Sequence, residues 1–142
     1  MTREFTKGRT IVCRLPHGGD MLMAITGISR EHNIRMASIR CIGALSKFCF
    51  AFYDQKQKQY STKELTGDFE ILACIGNVSM KDGEIMCHAH ITVGDEEGRA
   101  FGGHLVDGCT VFAGELIIEE LLGKPLDRGY DDVTGLNLWR FN

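Results

Sequence analysis

The chain has 142 residues, 44% of them hydrophobic and 25% charged, with a formal net charge of −3. That length gives one domain, residues 1–142, with room for a sizeable core. The apolar fraction excludes disorder, seventeen glycines without a period exclude collagen and a coiled coil, and the acidic balance argues against a free-standing nucleic-acid binder, whose phosphate contacts need clustered basic residues.

Residues 1–8 carry no apolar core of the kind a signal peptide has. No stretch approaches the roughly 18 apolar residues of a membrane span. The cytoplasm is the expected compartment. Arg3, Lys7, Arg9 and Arg14 give the N-terminus a mild positive excess that a solvated terminus explains equally well.

In chain order, residues 9–15 alternate as a first strand. Pro16-His-Gly-Gly19 breaks the chain, and Asp20 suits the N-cap of a helix running to about Asn33. Leu22, Ile25, Ile28 and either Ser29 or His32 fall at helical spacing. His17 reads as a loop residue and His32 as a surface residue near the helix end.

From residue 36 the pattern turns to strands: Ala37–Ile42, Leu45–Tyr53, Glu70–Val78, Glu84–Val93, Arg99–Leu105 and Thr110–Leu121. Residues 54–60 are polar and read as a hairpin connection. Gly114 and the β-branched residues before it favour a strand over a helix for the last segment. On the Thr110–Leu121 strand, Phe112, Leu116 and Ile118 are expected on one face, with Val111, Ala113, Glu115 and Ile117 on the other. The fold class is therefore α+β, a mostly antiparallel sheet with one principal helix. The six cysteines form no Cys-x-x-Cys pair, and most sit in apolar runs, as reduced core thiols do.

Three of the five histidines lie within seventeen residues. In a strand, His88 and His90 project to one face, while Cys87, Ala89 and Ile91 point to the core. Asp95 and Gly98 fit the first and fourth positions of a type I turn, with residues 96–98 as a three-residue hairpin loop. Counting back from that turn pairs Asp95 with Arg99 and His90 with His104. An odd loop length keeps His104 on the face of His88 and His90; an even one removes it. Gly102 and Gly103 are expected to clear space beside His104.

Three neutral imidazoles with an open fourth position form the ligand set of a catalytic-type zinc site. Imidazole ligands alone also suit nickel, iron or manganese. His-x-His by itself equally suits a solvated strand face; His104 at the right parity is what tips the reading to metal. Glu70 and Glu115 are candidates for orienting a ligand histidine or acting as a general base. A strand-edge or interface carboxylate is the plainer reading of each.

The segments Cys41-Ile-Gly-Ala-Leu45, Phe52-Tyr-Asp54 with Tyr60, Gly67-Asp-Phe-Glu-Ile-Leu72, Gly76-Asn-Val78, His88-Ala-His90 and Gly102-Gly-His-Leu105 resemble the PPC (plants and prokaryotes conserved) domain. Gly19-Asp20 and the tail Arg128-Gly-Tyr-Asp-Asp-Val-Thr-Gly-Leu136 look like its prokaryotic members. The resemblance implies a homotrimer, with metal on His88, His90 and His104 as in some prokaryotic members. It also implies a fold similar to acetolactate decarboxylase, a zinc lyase whose metal sits on a His-x-His and a later His. The decarboxylase's catalytic Arg and Glu match no position of this chain. Plant members attach the domain to AT-hooks; Lys7-Gly-Arg9 lacks the second Arg and the Pro of such a hook.

The expected function is a homotrimeric, metal-binding domain whose open site binds or transforms a small oxygen-bearing metabolite. A DNA-associated regulatory protein acting through the same domain, and a metal-dependent lyase on a small carbonyl metabolite, are the alternatives. Direct DNA binding is disfavoured by the charge and the missing hook.

Overall fold

The computed structural model describes residues 1–141. The chain runs β1 (Thr6–Arg14), α1 (Met21–Glu31), β2 (Ala37–Asp54), β3 (Gln59–Lys81), β4 (Glu84–Gly94), β5 (Ala100–Leu105), β6 (Thr110–Leu122), β7 (Asp127–Asp131) and β8 (Leu136–Arg140). It is an α+β fold, one helix on a sheet that is antiparallel except where β3 meets β7.

The helix begins at the expected cap. Asp20 takes extended dihedrals, and its Oδ1 accepts from the Met23 N–H at 2.8 Å, satisfying a donor that no helical carbonyl can reach. The helix ends at Glu31, short of Asn33, because Asn33 turns left-handed (φ 51°) and Ile34 N–H donates back to Ser29 O. Its buried side is Met21, Ile25 and Ser29. The Ser29 hydroxyl donates to Ile25 O at 2.9 Å, which is how a polar residue sits there without loss. His32 lies exposed at the helix end, and His17 lies in the turn before it.

Two expected strands, Ala37–Ile42 and Leu45–Tyr53, are one continuous β2. Irregularities around Gly43 (φ 142°) and between Leu45 and Lys47 bend the strand without breaking it. β3 likewise begins at Gln59, far upstream of the expected Glu70. Residues 59–68 are exposed on both faces, so there is no alternation to read. The turn between β2 and β3 shrinks to residues 55–58. A further hairpin, β7–β8, lies where no strand was expected, in a short polar segment.

β2 pairs with β3 along one side, and with β6 then β5 along the other. Since β5 pairs with β4 and β4 with β3, those four strands close on themselves, which removes open edges from the ring. α1 packs against β4 and β6. Met21, Ile25, Ile39, Cys41, Cys74, Val78, Cys87, Ala89, Ile91, Leu116 and Ile118 fill the space between. Five of the six cysteines are buried and Cys13 is half-buried; all six are free thiols. Burial pushes Cys41, Cys87 and Cys109 up to about 12, so they pack as hydrophobes.

Phe112 departs from its expected face. It is exposed while Val111 is buried, because pairing slips between Ala44↔Ala113 and Leu45↔Val111. The extra residue on β6 inverts the alternation.

Candidate metal centre

The 96–98 hairpin forms as its residues dictate. Gly98 N–H donates to Asp95 O at 3.0 Å with Gly98 at φ 77°, and the Asp95 carboxylate accepts from the backbone of Glu97 and Arg99 and from the Arg99 guanidinium. The odd loop sets the register: Gly94↔Ala100, Thr92↔Gly102 and His90↔His104. Behind the strand, Cys87, Ala89 and Ile91 are buried as expected.

His88, His90 and His104 therefore converge. Their ring centroids are 5.0–5.5 Å apart, and one nitrogen from each lies within 4.8 Å of the others. His90 is exposed; His88 and His104 are half-buried. Burial holds His88 down to about 4, helped by Arg128 and the other two histidines. Burial and His90 also lower His104. Both rings are consequently neutral near pH 7, each with a lone pair to offer. The Nδ1 atom of His104 is buried with no hydrogen-bond partner among the described residues. An orphaned nitrogen of that kind is costly unless something binds it. Neutral imidazoles, close spacing and an orphaned donor atom fit a divalent transition metal, which His88, His90 and His104 would hold.

Gly102 and Gly103 do not clear room for an ion. A Cβ on Gly102 would strike the Ile91 carbonyl of β4, and one on Gly103 would lie 2.7 Å from Ala51 O and 2.9 Å from Phe50 Cδ2 on β2. These glycines let β5 press against both neighbours. Glu70 and Glu115 are both exposed. Glu70 pairs with Gly94, four residues along β4 from His90, roughly 13 Å at strand spacing. Glu115, on β6, pairs with Ile42 and Arg14, and two strands lie between β6 and β4. Neither is brought to the cluster.

Other residues are. Asn77 pairs directly with His88, and the Tyr60 ring lies 5.1 Å from that of His104. Arg128, on β7, donates to Asn77 Oδ1 at 2.8 Å and to Ser79 Oγ at 2.9 Å. Trp139 of β8 stacks 5.3 Å from its guanidinium. Tyr60 and Arg128 fall inside segments that carry the family resemblance, but nothing in their local pattern assigns them to this site.

The model of the Plants and Prokaryotes Conserved (PCC) domain matches residues 2–122. This chain belongs to that family. A PCC (PPC) protein of Pyrococcus horikoshii has 38% identity over 100% of this chain and 98% of its own, with a TM-score of 0.93. A metal-containing protein of Archaeoglobus fulgidus has 39% identity over 99% of each chain and a TM-score of 0.95. A proposed DNA-binding protein of Bacteroides thetaiotaomicron has 27% identity over 98% of this chain and 99% of its own, at a TM-score of 0.87. The bifunctional protein GlmU of a Synechococcus strain matches at 29% identity over 129 residues, 89% of this chain. The PCC domain spans only about a fifth of that relative's length. No helix among the described residues is long and apolar enough to cross a membrane.

Proposed function

We propose that this PCC domain is a homotrimeric metal-binding protein, with zinc on His88, His90 and His104 and an open position for a small oxygen-bearing ligand. The observation that carries the reading is the buried, partnerless Nδ1 of His104 inside a three-histidine cluster in which His88 and His104 are held below the usual imidazole range. The metal-containing relative from Archaeoglobus fulgidus supports it. A bound divalent ion supplies Lewis-acid chemistry, polarising a carbonyl or acidifying a water. The protein's part is to keep His88 and His104 unprotonated and to fix the common direction of the three rings through the β4–β5 register. Six free thiols fit a reducing compartment such as the cytoplasm.

Elemental analysis of protein purified without a metal-affinity tag tests this. About one equivalent of zinc per chain is expected, and less than about a tenth of any transition metal in folded protein would sink the reading. His90→Ala with His104→Ala is expected to abolish uptake and leave the assembly intact.

The description of the Bacteroides relative favours a second reading, DNA-associated regulation. Duplex binding that weakens steeply with salt would support it, because phosphate contacts release counterions. Flat or absent binding near physiological salt removes it, the outcome expected from a net charge of −3.

A further inference from the structure

Among the described residues, Arg128 is a buried cation without a counterion. It is 8% exposed. Its hydrogen bonds go to Ser79 Oγ, Asn77 Oδ1 and Asn137 O, all neutral. Burial disfavours its charged form, and no carboxylate is among the groups that bear on it. Burying a guanidinium this way is expensive unless an anion completes it. Three of its five N–H groups are used, which leaves one on each terminal nitrogen, and Arg presents such donors to planar oxyanions.

The space beside it reaches the histidine cluster at His88. A cleft of about 480 Å³ is lined by Asn77, His88, Arg128, Leu138 and Trp139, among others. Asn77 touches both sides: its Oδ1 accepts from Arg128, and its backbone pairs with His88. A divalent ion on three neutral imidazoles would add two positive charges next to that of Arg128.

We propose that this cleft is a subsite for a small oxyanion, a carboxylate or a phosphate, held at one end by Arg128 and facing the three-histidine cluster at the other. The second end rests on the metal reading; the first rests on Arg128 alone. Trp139 and Leu138 give the cleft an apolar wall, with the Trp139 ring 5.3 Å from the guanidinium. Asn77 and Ser79 fix the guanidinium plane so that the anion does not have to order it.

The test titrates zinc-loaded and metal-free protein with oxalate and, separately, with inorganic phosphate. Calorimetry gives affinity, and the Arg128 Nε–H resonance reports the arginine end. Both anions are compared on zinc-loaded protein, and the tighter one identifies the ligand class. Saturation is expected to shift the Arg128 resonance, and Arg128→Met, compared with wild type at equal zinc loading, to weaken binding by about tenfold or more. Arg128→Lys keeps the charge but loses the planar fork, so partial recovery is expected. Equal affinity for wild type and Arg128→Met, or an Arg128 resonance unmoved at saturation, overturns the proposal. Should Arg128→Met fail to fold, the wild-type resonance titration decides by itself. Protein that takes up no zinc yet shows the Arg128 shift refutes the metal reading and retains the arginine subsite. Protein that takes up zinc without the shift does the reverse.

Discussion

At the scale of single residues, the site is a device for keeping imidazole neutral. His88 is partly desolvated and faces Arg128 and two further histidines, and every one of these disfavours its protonated form. Its pKa in the folded, metal-free protein is about 4, against about 6.5 in an unfolded chain. Between those values the unfolded chain holds the extra proton, so stability rises with pH across that window. The metal-free fold is therefore expected to lose stability as pH falls from about 6.5 to 4, with His104 shifted in the same direction. His88→Gln cannot charge, and should flatten the decline of Tm measured from pH 7 to pH 4. Parallel curves for wild type and variant would refute the assignment. Zinc should steepen the wild-type curve, because its ligands must be deprotonated.

At the scale of elements, the β4–β5 hairpin carries the site, and its precision comes from glycine. Gly102 sits where a Cβ would meet the Ile91 carbonyl and lie 2.9 Å from Thr92 Cα, backbone atoms that yield only if the strands part. Gly102→Ala should cost about 1–3 kcal/mol by urea denaturation and spread the histidines. Gly27, on the exposed side of α1, has nothing within 4 Å, so Gly27→Ala should stabilise by about 0.5–1 kcal/mol. Opposite signs for two glycine-to-alanine changes separate close backbone approach from helix propensity. The same hairpin explains why the histidine cluster was legible in the sequence. Strand alternation and the Asp95–Gly98 turn are local, so parity alone brings His104 to His90. The environment of that cluster is not local. Tyr60 lies on a stretch of β3 exposed on both faces, and Arg128 arrives through the parallel pairing of β7 with β3. Phe112 was unreadable for a related reason, since a slipped residue on β6 inverts alternation without any turn signal.

At the scale of the molecule, the register places the site at the border of an exposed sheet face. Val12, Ile117, Arg40, Ile75, His90 and His104 are successive partners across β1, β6, β2, β3, β4 and β5, so they form one row on one face. Val12 is 72% exposed, Ile75 65% and Ile42, in the neighbouring row, 56%. Contiguous apolar surface of this kind on a sheet marks an interface. Its charges are of both signs, Lys7, Arg14 and Arg40 with Glu115 and Glu119, and Glu119 lies 3.5 Å from Arg40 and 3.9 Å from Lys7. A face carrying both signs lets its basic part meet the acidic part of the same face on another copy, the head-to-tail contact that closes a ring. The proposed trimer is therefore expected to form here, with its seam bordering His90. Val12→Asp combined with Ile42→Lys should convert trimer to monomer in sedimentation velocity at micromolar concentration. Both residues are exposed in the single chain, so the far-UV circular dichroism spectrum should be unchanged. A double variant that remains trimeric would move the interface to another face, and a wild-type monomer at that concentration would remove the trimer altogether.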